Sequence, residues 1–303
     1  MENNNIVPII DVNSIAAYNK LNNLETYHPL VQVVDFRKHT IPAGHFRYRY
    51  GLYCLWLKHG VQCTIKYGRQ TYDYQCGTIV SHGPGQMIEV NNKEAIPNAD
   101  VQGILFHPDL IYGTPLARHI GEYHFFDYDS AEALHLSTPE QNMFINTLES
   151  IRYEIEQPID NHSQTIIVDR IKLILDYCQR FYERQFITRH KVNSDVLTKF
   201  DNDLNDYFKN GNAERNGLPS VAYFADKACL SPGYFGDLIK KETGLNAQQF
   251  IQQKIISISK AMIMDDQYAL NQIARHLGFQ YQQHFSRFFK RIVGVSPKDY
   301  REK

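Results

Sequence analysis

Two hydrophobic periodicities divide this chain. From about His28 to Phe106, β-branched and aromatic residues come in short runs separated by turn formers: Pro42-Ala43-Gly44, Lys58-His59-Gly60, Gly68, Gly77 and Gly83-Pro84-Gly85. Short strands at this spacing predict a sandwich or barrel, and Leu52–Leu57 with Val61–Tyr67 reads as a hairpin. From Thr138 to about Gln185 the spacing becomes helical. Ser137-Thr138-Pro139-Glu140 has the composition of a helix start, with proline in the first turn and an early acid. Ile166, Ile167, Ile171, Ile174, Leu175, Cys178, Phe181 and Tyr182 then make a broad apolar stripe, suited either to packing on the strands or to burial against a second subunit.

The last hundred residues contain an internal repeat. Tyr234-Phe235, Lys240-Lys241, Gly244 and Leu245 recur fifty positions later as His284-Phe285, Lys290-Arg291, Gly294 and Val295, and Phe250 matches Tyr300. Upstream, Ala225 in Val221–Ala228 corresponds to Ala274 in Leu270–Leu277 at an offset of 49, so the second copy has one extra residue in its turn. Each copy reads helix, short turn, helix, the unit that lays its second helix in a DNA major groove. Ala225 and Ala274 are small where the two helices must cross. Leu230 and Phe279 can plug the core below the turn, and Ser231 can cap the helix that opens at Pro232. Helical spacing turns Tyr234, Phe235, Leu238 and Ile239 inward in the first copy, and His284, Phe285, Phe288 and Phe289 in the second. Between the copies, Ala247 to about Met264 lacks Gly and Pro and carries apolar residues at helical spacing. One rigid helix there would set the two second helices for successive groove faces ~34 Å apart.

Charge sharpens this picture. Of the chain's 303 residues, 213–303 carry 13 Lys+Arg against 8 Asp+Glu, leaving 19 against 25 for the remainder. A basic segment joined to an acidic one is what a molecule meeting phosphate with one part requires. Composition is ordinary for a globular protein, 43% apolar and 21% charged, and no run approaches the ~20 apolar residues of a membrane span. The first residues, Met1-Glu2-Asn3-Asn4-Asn5, do not resemble a secretory leader. Five cysteines without a C-x-x-C pair fit reduced thiols, and a cytoplasmic location is expected.

Leu230-Ser231-Pro232-Gly233-Tyr234-Phe235, Lys240–Gly244, Ile273-Ala274, Leu277-Gly278-Phe279, His284–Lys290 and Gly294–Arg301 together resemble the DNA-binding domain of the AraC/XylS family of bacterial regulators over residues 218–301. Asp237 stands where the family often has Arg, Gln272 where Glu is frequent, and Ser259 where Ala is common. Asp237 makes the first motif less basic, which shifts weight onto Arg287 for guanine or phosphate contact. The expected DNA-binding set is Ser231, Pro232, Gly233, Gly236, Asp237, Lys240 and Lys241 in the first motif, and Gln280, Tyr281, Gln282, Gln283, Ser286, Arg287, Lys290 and Arg291 in the second. Helices 232–242 and 281–291 would enter the grooves. The resemblance implies a transcription regulator, activation among its modes, with double-stranded DNA and a small-molecule effector as partners. It further implies a homodimer, and RNA polymerase stands as a further partner of such a regulator.

The expected fold class is α+β, with an N-terminal cupin-like β-barrel and following helices, then a C-terminal all-α domain with two helix-turn-helix motifs. The expected organisation is 1–27 tail, 28–115 cupin-like sensing barrel, 116–204 helical region able to dimerise, 205–217 linker and 218–303 DNA-binding domain. Arg37, Arg47, Tyr48, Arg49, Tyr50, Tyr53 and Trp56 form the densest aromatic and cationic group in the barrel region. Strand alternation sends Arg47 and Arg49 to one face and Tyr48 and Tyr50 to the other. The effector candidates are Arg37, His45, Arg47, Arg49, Tyr53 and Trp56. His39, His45, His59, His82 and His107 lack the spacing of a metal-binding cupin, so neither metal nor cofactor is expected. No nucleophile motif or phosphate-binding loop is present, which disfavours an enzyme. A DNA-repair protein using this domain would need an activated cysteine, and Cys229, just before the first recognition helix, is the residue to inspect.

Overall fold

The computed structural model describes residues 8–59, 65–67, 70–72, 77–265 and 267–302. The chain divides into two compact units, one ending at Thr188 and the other beginning at Arg189.

The first unit is built on two main sheets. Five strands run in the order Leu134–His135, Thr78–His82, Tyr53–Lys58, Val101–Phe106, Val31–Asp35, all antiparallel. The second sheet has Gly44–Tyr50 at its centre, antiparallel to Met87–Asn92 and parallel to Ile9–Val12. Among the described residues the strands form separate sheets, so the expected closed barrel is an open arrangement. Val31–Asp35 and Thr78–His82 are buried at every position. Gly44–Tyr50, by contrast, keeps one exposed face. The expected hairpin falls partly outside the described residues; within them Tyr53–Lys58 pairs with Val101–Phe106 and Thr78–His82, and Ile65–Tyr67 pairs with Gln70–Tyr72. Val61–Thr64, Gly68 and the side chains of Cys63 and Cys76 lie outside the described residues.

Within residues 1–27, expected as a tail, the described stretch from Ile9 to Asn22 contributes to the core. Ile9–Val12 pairs residue by residue with Arg47–Tyr50, and helix Ile15–Asn22 follows, its start capped by the Ser14 hydroxyl accepting from the Ala17 amide. Val12 and Ile15 are wholly buried.

Two long helices complete this unit, Thr138–Ile155 and Ser163–Thr188. The first begins as its sequence predicts, with Ser137 and Glu140 forming a reciprocal capping box. The apolar stripe of the second is taken up within the chain itself: Ile167, Ile171, Ile174, Leu175 and Cys178 are fully buried. A second subunit would need another surface. Among the described residues no helix is long and apolar enough to cross a membrane.

The second unit is all helical. Its first helix, His190–Lys209, with the short helix Asn212–Asn216, occupies positions expected as the end of a sensor region and a linker. Phe200 stacks among Phe224, Phe235 and Phe250 at ring distances of 5.0–5.2 Å. Asp201 pairs with Lys254 at 3.0 Å and Asp203 pairs with Lys227. The Tyr207 hydroxyl donates to the Gly217 carbonyl, and Glu214 meets His276 at 2.9 Å. This helix is therefore structural support for the motifs that follow it.

Candidate nucleic-acid interface

The first motif consists of helix Val221–Lys227, a turn, and helix Pro232–Thr243. The second consists of Leu270–His276, a turn one residue longer, and Gln282–Val293. Ala225 and Ala274 are buried at the crossings. The turns close by the same bond, Leu230 amide to Ala225 carbonyl at 2.9 Å and Phe279 amide to Ala274 carbonyl at 2.8 Å. Both also need a left-handed residue at the same place. The second motif uses Gly278 (φ 88°); the first uses Cys229 (φ 57°). Because a side chain in this region costs energy that glycine avoids, Cys229→Gly is expected to raise stability by about 0.5–1 kcal/mol, net of the added unfolded-chain entropy. Thermal unfolding of the two forms checks it, and a lowered midpoint would contradict it. Cys229, expected in a buried turn, is exposed, whereas Cys54 and Cys178 are buried; among the described residues no cation pairs with it to activate the thiol.

Both recognition helices end on glycines in the left-handed region, Gly244 and Gly294, whose amides bond back to the carbonyls of Lys240 and Lys290. The connecting helix is a single element, Ala247–Ile263, opened by an Asn246–Gln249 capping box. It buries Ile251, Ile255, Ser259 and Ile263.

In the first recognition helix Tyr234, Phe235, Leu238 and Ile239 are fully buried. In the second, Phe285 and Phe289 are buried and Phe288 is half-buried, but His284 is exposed, its ring edge against Tyr281. The opposite faces carry the expected DNA-binding residues. Pro232, Lys240, Lys241, Gln280, Tyr281, Gln282, Gln283, Arg287, Lys290 and Arg291 are exposed. Ser231, Gly233, Gly236, Asp237 and Ser286 are half-buried. The Ser231 hydroxyl accepts from the Tyr234 amide, so its role in the fold is to cap. Among the described residues Lys240, Lys241, Arg287, Lys290 and Arg291 are in no ion pair, which leaves five cations available to phosphate. A polar cleft of about 750 Å³ beside the second motif is lined by Asn271, Gln272, Arg275, Gln280 and Gln282.

A second cavity, of about 510 Å³, lies in the first unit between the two main sheets. Of the six effector candidates, Trp56 lines it. The other five are placed elsewhere. His45 and Arg47 point away from the core and pair with Glu89 at 2.7 and 3.0 Å, and Arg49 pairs with Asp11 at 2.6 Å. Arg37 is held by Asp35 at 2.9 Å, and Tyr53 packs on Phe106 and Phe126. Alternation was the right rule, but its parity puts Tyr48 and Tyr50 inside. Tyr18, Phe36 and His82 join them at the wall. Ser14 followed by Ile15 and Tyr18 is a cap and helical spacing that could have revealed Tyr18. Burial, assisted by nearby Lys58, pushes the His82 imidazole down to about 4, so it is neutral at physiological pH.

Two short helix-turn-helix motifs on one connecting helix, with cations recurring on both outer faces, define a double DNA-reading unit. Residues 224–303 match the family described as "Helix-turn-helix domain". The chain is similar to the probable transcriptional regulator LumQ of Photobacterium leiognathi, 35% identical over 81 residues, 27% of this chain and 33% of that protein. It is also similar to the arabinose operon regulatory protein of Escherichia coli (strain K12), 30% identical over 81 residues, 27% of this chain and 28% of that protein. Among solved structures, the C-terminal domain of the response regulator yesN from Fusobacterium nucleatum aligns over 35% of this chain and 98% of its own, at 22% identity and a TM-score of 0.32. Residues 224–303 of this chain are thus similar to the helix-turn-helix DNA-binding domain of AraC-type transcription regulators. The chain spans about a third of the length of the curated relatives it matches.

Proposed function

We propose that this protein is a sequence-specific regulator of transcription that binds double-stranded DNA through both motifs and responds to a small molecule held in the first unit. The observation that carries the reading is the recurrence, on two helices that each end on a left-handed glycine, of paired exposed cations, Lys240-Lys241 and Lys290-Arg291, opposite a buried apolar face, with Gln282, Gln283 and Arg287 added in the second. Lys240, Lys241, Lys290 and Arg291 hold phosphates, while Gln282, Gln283, Ser286 and Arg287 are placed to read base edges. In this reading the protein acts in the cytoplasm as a homodimer, which doubles the DNA site, and occupancy of the cavity alters DNA binding or contact with RNA polymerase.

A footprint and binding titration on DNA upstream of the neighbouring genes tests the proposal. Protection over about two helical turns is expected, with affinity falling steeply as salt rises. Arg287→Ala should weaken binding by about 1–3 kcal/mol and relax preference at one base position. Equal affinity for unrelated DNA at low salt, with Arg287→Ala behaving as the parent, would refute it.

A further inference from the structure

The wall of the first-unit cavity carries an unusual set of groups. Tyr18, Tyr50 and Trp56 are buried and lie ring to ring, with centroids 6.5 Å apart for Tyr18–Tyr50 and 6.1 Å for Tyr18–Trp56. Phe36 sits 6.0 Å from Trp56, and Tyr48 sits 5.9 Å from Tyr50. Among the described residues the hydroxyls of Tyr18, Tyr48 and Tyr50 make no hydrogen bond. Tyr18 and Tyr50 are buried and Tyr48 is half-buried, and three phenol hydroxyls bordering one largely apolar space favour a ligand that can bond to them.

The charges present restrict that ligand. Burial keeps all three phenols protonated and His82 neutral. Lys58 and Asp100 also reach the lining, but they are opposite in sign. Lys58 has a partner of its own, and Asp100 meets His59 at 3.3 Å at a solvent-exposed position. A charged ligand would leave water without a matching counter-charge, which costs far more than a hydrogen bond returns. A sugar needs polar partners on most sides, whereas the rings with Ile41, Ile88, Val90 and Val101 make most of this wall apolar and leave Asn22, Asn92 and His59 as its further polar members.

We infer that this cavity takes an uncharged, flat aromatic molecule carrying hydroxyl or carbonyl oxygens, stacked among the rings of Tyr18, Tyr48, Tyr50 and Trp56 and bonded to the tyrosine hydroxyls. The inference rests on the reading of the cavity as an effector site and gives that site a chemical class.

Trp56 is the only tryptophan of the chain, so its emission in the full-length protein reports on this cavity directly. The probes are methoxycoumarin, its carboxylate derivative and its trimethylammonium derivative, each read by quenching of Trp56, with dodecanoate read by displacement of methoxycoumarin. Methoxycoumarin should bind about tenfold or more tighter than either charged form, and dodecanoate should displace it poorly. The double replacement Tyr18→Phe, Tyr50→Phe keeps the rings and should weaken methoxycoumarin about tenfold, with the thermal midpoint monitored to show that the fold is retained. Tightest binding by the carboxylate, by the cation or by dodecanoate overturns the inference, as does quenching by none of the probes. A parallel DNA titration separates the two readings. Quenching without any change in DNA affinity upholds the ligand class and counts against regulation through the cavity. Sequence-specific DNA binding with no quenching upholds the DNA-binding reading and overturns the ligand class.

Discussion

Phe200→Ala lowers the stability of the C-terminal unit by about 3–5 kcal/mol, the range for removing a large aromatic from a packed core. Its ring is 3% exposed and wedged among Phe224 of the first motif's leading helix, Phe235 of its recognition helix and Phe250 of the connecting helix. Truncation leaves a void bounded by three separate elements that cannot all move inward together. Chemical denaturation of the full chain, followed by far-ultraviolet circular dichroism, measures the loss. Specific DNA binding should fail at temperatures where the parent still binds. A change under about 1 kcal/mol, the size of a surface substitution, would show that His190–Lys209 is not part of the folded core of this unit.

Gly278→Ala is the second large effect. The added methyl carbon would stand 2.6 Å from the Gly217 carbonyl carbon, 2.7 Å from its oxygen and 2.9 Å from the Leu218 nitrogen. These are backbone atoms, which cannot rotate aside. The positive φ adds about 1–2 kcal/mol for any L side chain, and displacing the backbone brings the expected destabilisation to about 3 kcal/mol or more. Thermal unfolding of the variant should show this loss, and a midpoint unchanged from the parent would mean that the turn can open at little cost. The outcome contrasts with Cys229→Gly at the equivalent position, where the same backbone conformation gains from the same residue type.

The parts legible in the sequence are those governed by neighbours a few positions apart. Ser231-Pro232, Asn246 with Gln249 and Ser137 with Glu140 announce helix starts because a cap is satisfied within one turn. Ala225 and Ala274 announce crossings because the motif repeats. The first unit depends on distant partners, and there the reading failed in identifiable ways. Nothing local to Ile9–Val12 says that it pairs with a strand 38 positions away, Ile9 to Arg47. Alternation in Gly44–Tyr50 was visible, but which face turns inward depends on the distant apolar partners that cover Tyr48 and Tyr50, the arginines outside then meeting Asp11 and Glu89. His190–Lys209 is amphipathic on any reading, and only the aromatic cluster around Phe200 assigns it to the DNA-binding unit.

The two recognition helices also begin differently. Pro232 has no amide proton and the Tyr234 amide is taken by the Ser231 hydroxyl, so the first helix offers one free donor in its opening turn, Gly233. Tyr281 provides no side-chain cap, which leaves the amides of Gln282 and Gln283 open at the start of the second. The aligned peptide dipoles make a helix start the equivalent of roughly half a positive charge, and unfilled amides are where that charge is felt. The second motif therefore joins this backbone field to three exposed cations, Arg287, Lys290 and Arg291, while the first has two, Lys240 and Lys241, at the far end of its helix. If both motifs meet DNA as proposed above, the second would be the firmer anchor on the phosphates and the first the more easily exchanged.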